Sequence, residues 1–181
     1  MDYIITYTGK KIRLTNPQPE DICIDDISIA LSNLCRFNGH VGEFLSVSDH
    51  SLHVLKIVSE KTRARDVLRA ALLHDASEAY LGDMSTPLKS LCRDYQGIEL
   101  LFQGVIEQRF DLQNVTQSGW ELIKEADYTA LQIEAVDGHW NLALHEGWAD
   151  DLEVTSAGPF RYGSAEDRRE AFTLAYSLLA E

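Results

Sequence analysis

His74, Asp75 and Glu78 close an apolar helical run in which Val67, Ala70, Ala71 and Leu73 carry the period of a buried helix. His74 and Glu78 are four residues apart, and Asp75 and Glu78 three, so the three groups share part of one helical face. Ionised groups are costly to bury unless they are paired or bind a metal. Nitrogen and oxygen donors in so apolar a setting therefore ask for a divalent cation. Two more donors lie in apolar helical segments. His50 falls in the first turn of the helix that follows Ser46-Val47-Ser48-Asp49, and Asp127 within Ile123-Lys124-Glu125-Ala126-Asp127-Tyr128. Two imidazoles and two carboxylates suit Mn²⁺, Fe²⁺, Co²⁺, Ni²⁺ or Zn²⁺, whereas Mg²⁺ prefers more oxygen and is left for a second site. Taken singly, His50 reads as a hydrogen-bonded helix-start residue, Asp127 as a surface carboxylate and His-Asp as a chance dipeptide. Their joint order is what carries the metal reading.

The elements that must position these groups are mostly helical. Residues 3–8 and 11–14 flank Gly9-Lys10 and predict a short β-hairpin, after which Pro17 and Pro19 end regular structure. Asp25 or Asp26 is the expected N-cap of a helix with Ile27, Ala30, Leu31 and Leu34 on its apolar face. Residues 36–40 read as a loop. Ser48 is the expected cap of the next helix, with Leu52, Leu55 and Val58 toward the core. A third helix is expected over residues 64–80, ending at Gly82, followed by a turn or loop over 83–87. Further helices are expected over 95–110 and 118–135, the latter continuing past Gly138 to His145. Residues 150–163 read as a loop, and Ser164 with Asp167 as the capping pair of a last helix over 165–179. With no repeat, low-complexity tract or linker, residues 1–181 read as one mainly α domain with a small N-terminal hairpin.

At 181 residues the chain is long enough for a sizeable core. Its net charge of −13 argues against a nucleic-acid polymer as partner, which would need basic clusters. That field would also repel a nucleotide, so a phosphate-ester substrate requires metal and local cations to overcome it. No apolar run reaches membrane-spanning length and Met1-Asp2-Tyr3 begins no signal-like segment, so a cytoplasmic protein is expected. Cys23, Cys35 and Cys92 lack the spacing of a zinc site and read as reduced, structural thiols. His53, one turn beyond His50, reads as a core residue. His139 and His145 are likewise read as structural.

The ordered set His50, His74-Asp75 and Asp127 resembles the signature of the HD-domain metal-dependent phosphohydrolases: a histidine, a distant His-Asp pair and a later helical aspartate. The run His74-Asp75-Ala76-Ser77-Glu78, followed by Gly82-Asp83, Thr86-Pro87 and Lys89, is similar to the branch of YfbR-type 5′-deoxynucleotidases and the phage dATP triphosphohydrolase DatZ. Ser48-Asp49-His50-Ser51-Leu52 resembles that branch's first-ligand segment, with Asp49 where glutamate is frequent. The likeness runs from about Ile4 to Leu131. It implies an HD-type helical bundle whose ion is held by His50, His74, Asp75 and Asp127. Such an ion would polarise a phosphoryl oxygen and acidify water.

The resemblance also implies catalytic roles for Glu78, orienting or deprotonating that water, and for Asp83, through a hydrogen bond, a leaving-group proton or a second cation. It places Arg36 near the substrate phosphate, where a guanidinium fork fits. Phe37 stands where the YfbR type has tryptophan, so an aromatic ring is kept while selectivity changes. Lys89 is expected to neutralise further phosphates, with Pro87 beside it, and His40 is a substrate-contact candidate because it shares the Arg36 loop. The expected activity is hydrolysis of a dNTP, with a dATP-type substrate favoured, to deoxynucleoside and triphosphate. The alternative is a 5′-deoxynucleotidase acting on dNMPs. A cyclic-nucleotide or oligonucleotide phosphodiesterase and a non-catalytic metal- or nucleotide-binding module are the remaining readings. Several apolar helices offer faces for a homo-oligomer.

Overall fold

The computed structural model describes residues 2–137 and 163–180. The extended reach of the 118–135 helix to His145, the loop over most of 150–163, and His139 and His145 lie outside the described residues. Within them the fold is mainly helical with one two-stranded antiparallel sheet, as the sequence pattern predicts. Strand β1 (Tyr3–Ile5) pairs with β2 (Lys11–Arg13) in the register Tyr3↔Arg13, Ile4↔Ile12 and Ile5↔Lys11. Gly9 supplies the left-handed φ of +81° that the connecting turn requires. Ile12 faces inward and is fully buried.

Helix α1 (Ile24–Asn33) follows a short 3₁₀ turn at Pro19–Asp21. Its N-cap is Cys23 rather than Asp25 or Asp26. Asp26 ties the hairpin to α1 instead, its carboxylate accepting from the Thr8 backbone N–H at 2.8 Å and from the Thr8 hydroxyl at 2.9 Å. From the first turn of the helix, the Asp26 side chain reaches across to the neighbouring hairpin.

Between α1 and the next helix, residues 36–45 form a loop closed at its base. Cys35 and Ser46 make an isolated antiparallel bridge, with Arg36 N–H donating to Leu45 O at 2.9 Å and Val47 N–H to Leu34 O at 3.1 Å. The loop opens with a 3₁₀ turn, Arg36–Gly39, in which Phe37 and Asn38 both hold left-handed φ values, 55° and 54°. Asn tolerates that region, but a Phe there is strained, and such strain gathers at ligand sites.

Helix α2 (Val47–Lys61) is capped by Ser46, not Ser48. Ser46 Oγ accepts from the Asp49 N–H at 3.0 Å, and Asp49 Oδ2 accepts from the Ser46 N–H at 2.9 Å, a reciprocal capping box. The pattern is displaced by two residues because Ser48 is fully buried, its Oγ directed at Arg168 O 3.5 Å away.

The expected single helix over 64–80 is two pieces. Helix α3 (Arg65–Leu73) ends at the histidine, and α4 (Glu78–Leu81) is a single turn. Between them the backbone tightens to i→i+3 bonds, Ala76 N–H to Leu73 O and Glu78 N–H to Asp75 O, both 3.0 Å. The facing of His74, Asp75 and Glu78 thus comes from a tight turn and not from a continuous α-helical face. Gly82 then reverses the chain at φ +82°, ψ 156°, a region open essentially to glycine alone. In place of an unbroken loop over 83–87, α5 (Thr86–Lys89) starts within it, with Pro87 in its first turn. Helices α6 (Arg93–Arg109), α7 (Gln117–Asp137) and α8 (Ala165–Ala180) complete the described chain.

One buried cluster runs from Ile12 through Leu72, Leu73, Phe102 and Ile106 to Phe172. Each such side chain contributes about 1.5–3 kcal/mol by leaving water. Helix α2 packs on α3 and α7, while α8 closes the far side against α1, α2 and α3. No described helix is long and apolar enough to cross a membrane.

Helix α8 is fastened by charge as well as packing. Arg168 and Asp49 are both buried, and Arg168 Nε donates to Asp49 Oδ2 at 2.8 Å. The same guanidinium lies 4.8 Å from the Phe44 ring centroid in the 36–45 loop. Removing one member of a buried pair leaves its partner uncompensated, so Arg168→Ala should lose about 3 kcal/mol of stability. Urea denaturation followed by circular dichroism checks this; an unchanged midpoint would show that the pair contributes nothing.

Candidate metal centre

Four donor atoms from three separate elements converge at the end of α3. His50 comes from the first turn of α2, His74 and Asp75 from the tight turn after α3, and Asp127 from the middle of α7. His50 Nε2 and His74 Nε2 are 3.3 Å apart. Asp75 Oδ2 lies 3.6 Å from the first and 3.3 Å from the second. Asp127 Oδ1 lies 3.0 Å from His50 Nε2 and 3.9 Å from His74 Nε2. Ligand atoms about 2.1 Å from an ion stand about 3.0–3.4 Å from one another, and three of these five separations fall in that range. Among the described residues, His50, His74 and Asp75 form a group able to hold a metal ion.

The tautomers point the same way. His50 Nδ1 faces Glu134 Oε1 at 2.8 Å and His74 Nδ1 faces the Ala71 carbonyl at 2.8 Å. Carboxylate and carbonyl oxygens only accept, so both Nδ1 atoms carry hydrogen. In the neutral rings, two Nε2 lone pairs then face each other across 3.3 Å, an arrangement that asks for a cation between them.

Electrostatics agree. Burial and the Arg36 charge pull the His50 imidazole down, yet Glu134 and Asp127 outweigh them and raise it to about 9. Burial opposes the charged form of His74 as well, but Asp75 lifts it above the ordinary range. Burial would raise Asp75, and the His74, His50 and Arg36 charges override it and hold it far below the usual carboxylate range. The corner is built for positive charge.

Beside these donors a cavity of about 710 Å³ opens, lined by residues that include Arg36, Phe37, Glu78, Asp83, Pro87 and Lys89. Every sequence-predicted catalytic or substrate residue except His40 is therefore at the cavity. His40 is exposed at the end of the 36–39 turn and is not part of the lining. Burial, then the Asp75 and Asp83 charges, push Glu78 well above the usual carboxylate range. Asp83 is raised by burial and by Asp75, against the Arg36 charge. Arg36 is itself buried: its Nε donates to Glu134 Oε2 at 2.8 Å, and its Nη1 is 3.9 Å from Asp75 Oδ2. Lys89 reaches Glu99 Oε1 at 2.6 Å.

Two further residues, outside the motif, belong to this site. Lys124 lines the cavity one turn before Asp127 on α7. Glu134 is fully buried and bonded to both His50 and Arg36. The signal for Glu134 was present: it lies seven residues after Asp127, two turns along the same helical face, in a stretch with buried Ala130 and Ala135.

No protein-family model matches the chain. It is 36% identical over 147 residues to the uncharacterized protein YfdR of Escherichia coli, covering 81% of this chain and 76% of that protein. It is 34% identical over 139 residues to an uncharacterized protein of Rhodobacter capsulatus, covering 71% of this chain and 68% of that protein.

Two outcomes follow for metal binding. Asp75→Ala removes an anionic donor and should abolish stoichiometric Co²⁺ or Mn²⁺ binding in calorimetric titration; full stoichiometry would refute the site. A ring must lose its Nε2 proton to ligate, and His50 holds that proton up to about pH 9. Metal uptake at pH 7 should therefore release protons, with apparent affinity falling about tenfold per pH unit below that point for each proton displaced. Titration in two buffers of different ionisation enthalpy counts them, and a count of zero would contradict the assignment.

Proposed function

This chain belongs to the family of Escherichia coli YfdR, and we propose that it is a metal-dependent nucleotide phosphohydrolase of the HD-domain type, acting in the cytoplasm. The observation that carries the reading is the convergence of His50, His74, Asp75 and Asp127 beside a cavity whose lining includes the two aspartates together with Arg36, Glu78, Asp83 and Lys89. When bound, a divalent ion supplies charge that polarises a phosphoryl oxygen and acidifies water.

The chain's own groups supply the rest. Arg36, braced from behind by Glu134, presents a fixed guanidinium toward an incoming phosphate. Glu78, in the wall and buried, takes a proton from the attacking water, and the burial and neighbouring Asp75 and Asp83 charges that raise its pKa well above the usual carboxylate range make it the stronger base. The water oxygen bonds to phosphorus as the bond from phosphorus to the 5′-oxygen breaks. Asp83, whose carboxyl burial and the Asp75 charge raise above its ordinary value, hands a proton to the departing 5′-oxygen. Phe37 offers an aromatic face at the same cavity for the base or sugar.

Both candidate reactions break the same bond next to the α-phosphorus. They differ in what else that phosphorus bears. Lys89 from α5 and Lys124 from α7 add two cations to Arg36 around the cavity, more than one phosphate needs, and favour a dNTP cleaved to deoxynucleoside and triphosphate, with a dATP-type substrate preferred. The pairing of Lys89 with Glu99 neutralises part of that charge and favours the second reading, a 5′-deoxynucleotidase.

Incubating the protein and Co²⁺ or Mn²⁺ with panels of dNTPs and dNMPs should yield inorganic triphosphate from dNTPs. Orthophosphate from dNMPs would establish the second reading, and no product from either panel would refute both. Glu78→Gln should keep its metal and lose about 10²–10⁴-fold in turnover. A variant with full metal content and the parent's rate would remove Glu78 from the mechanism.

A further inference from the structure

Glu134 has both carboxylate oxygens in use and no exposed surface. Oε1 accepts from His50 Nδ1 at 2.8 Å, with His53 Nδ1 3.7 Å away, and Oε2 accepts from Arg36 Nε at 2.8 Å. One side chain thus stands behind a metal donor and behind the guanidinium at the cavity wall. We infer that Glu134 is a positioning residue that fixes the His50 tautomer presenting Nε2 to the ion and, with its second oxygen, the aim of Arg36. The His50 half rests on the metal centre alone; the Arg36 half also rests on the phosphohydrolase reading.

Donor and acceptor roles leave little choice at this position. His50 Nδ1 and Arg36 Nε are both N–H groups, and only a group that accepts at both ends can lie between them. An ionised carboxylate does so and adds a negative charge between two cationic partners. Glutamine has the same shape but one oxygen and one NH₂. If the NH₂ faces His50, the ring must accept at Nδ1 and carry its hydrogen on Nε2, where the ion would sit. If the NH₂ faces Arg36, donor meets donor and the guanidinium is displaced. Aspartate, shorter by one methylene, cannot span both partners. The environment makes this demanding, because a buried polar group left unpaired costs about 1–3 kcal/mol. Arg36 is secured a second time through the bridge at the base of its loop, so the carboxylate sets the direction of the side chain rather than the path of the backbone.

The test compares wild type with Glu134→Gln in two titrations: Zn²⁺ into the apoprotein, and inorganic phosphate into the Zn²⁺-loaded protein. At least one affinity should fall about 10–100-fold, the range found when a group supporting a metal ligand is lost. Retention of both affinities would overturn the inference. A direct readout needs no variant: in ¹⁵N-labelled, Zn²⁺-loaded wild type, long-range imidazole correlations should show His50 protonated at Nδ1 and bound through Nε2. A proton on Nε2 would overturn the inference even if Glu134→Gln fails to fold. Neither measurement uses nucleotide hydrolysis. A chain that hydrolyses no nucleotide yet shows this tautomer loses the functional reading and keeps the role of Glu134 at the metal.

Discussion

Like charges crowded into one partly buried corner must be compensated, and that requirement organises the protein. Asp75, Asp127 and Glu134 lie within hydrogen-bonding or ion-pairing range of the same imidazole, His50. Two unit charges 4 Å apart interact by about 4 kcal/mol in a typical protein environment, so uncompensated repulsion there would rival the whole stability of a domain. Arg36 answers part of it, and a cation between the two Nε2 atoms would answer the rest. Burying a guanidinium is expensive in turn, and Arg36 tolerates it through Glu134 on one side and Asp75 on the other.

For the donors themselves, that compensation depends on bringing three distant stretches of chain together, and the scaffold shows how each is held. Helix α2 delivers His50 from a first turn fixed twice, by the capping box of Ser46 and by Arg168 reaching in from α8. The turn after α3 delivers His74 and Asp75 with a backbone too tight to rotate freely. Helix α7 delivers Asp127 and Glu134 from one face. Fully buried Leu72, Leu73 and Ala76 anchor the turn from below, so core packing fixes the height at which the donors emerge.

The parts of this site visible in the sequence were those whose chemistry is rare in its setting. A His-Asp pair after an apolar run, a histidine at a helix start and an aspartate inside an apolar stretch each conflict with burial, and conflict is easy to see along a chain. The hairpin and the helical majority were visible for a related reason, since turn residues and hydrophobic period act locally. What escaped detection was relational. Glu134 looks like one more helix glutamate until His50 and Arg36 arrive from other elements. Asp49 resembles a neighbour of a ligand, and only the capping box and Arg168 reveal that it anchors a helix. The break between α3 and α4 is hidden because buried Leu72, Leu73, Ala76 and Tyr80 keep a helix-like spacing across it while the hydrogen bonds shorten by one residue. Asp26 reads, like Asp25, as a cap of its own helix, whereas its partner, Thr8, lies in the turn of the hairpin.

The bridge between Cys35 and Ser46 separates two problems that a binding site usually has to solve together. Loop 36–45 leaves and re-enters the scaffold at one pinned point, so its interior is a cassette. Lengthening such a loop costs only about 0.6 kcal/mol per doubling, and the change stops at the bridge. A lineage could therefore rewrite Phe37 and Asn38, which with Arg36 bring this loop to the cavity wall, while the base of the loop and the first turn of α2 stay where they are. Variation of the cavity wall and persistence of the His50–His74–Asp75 corner become independent, because the pinned bridge keeps a change in one from displacing the other.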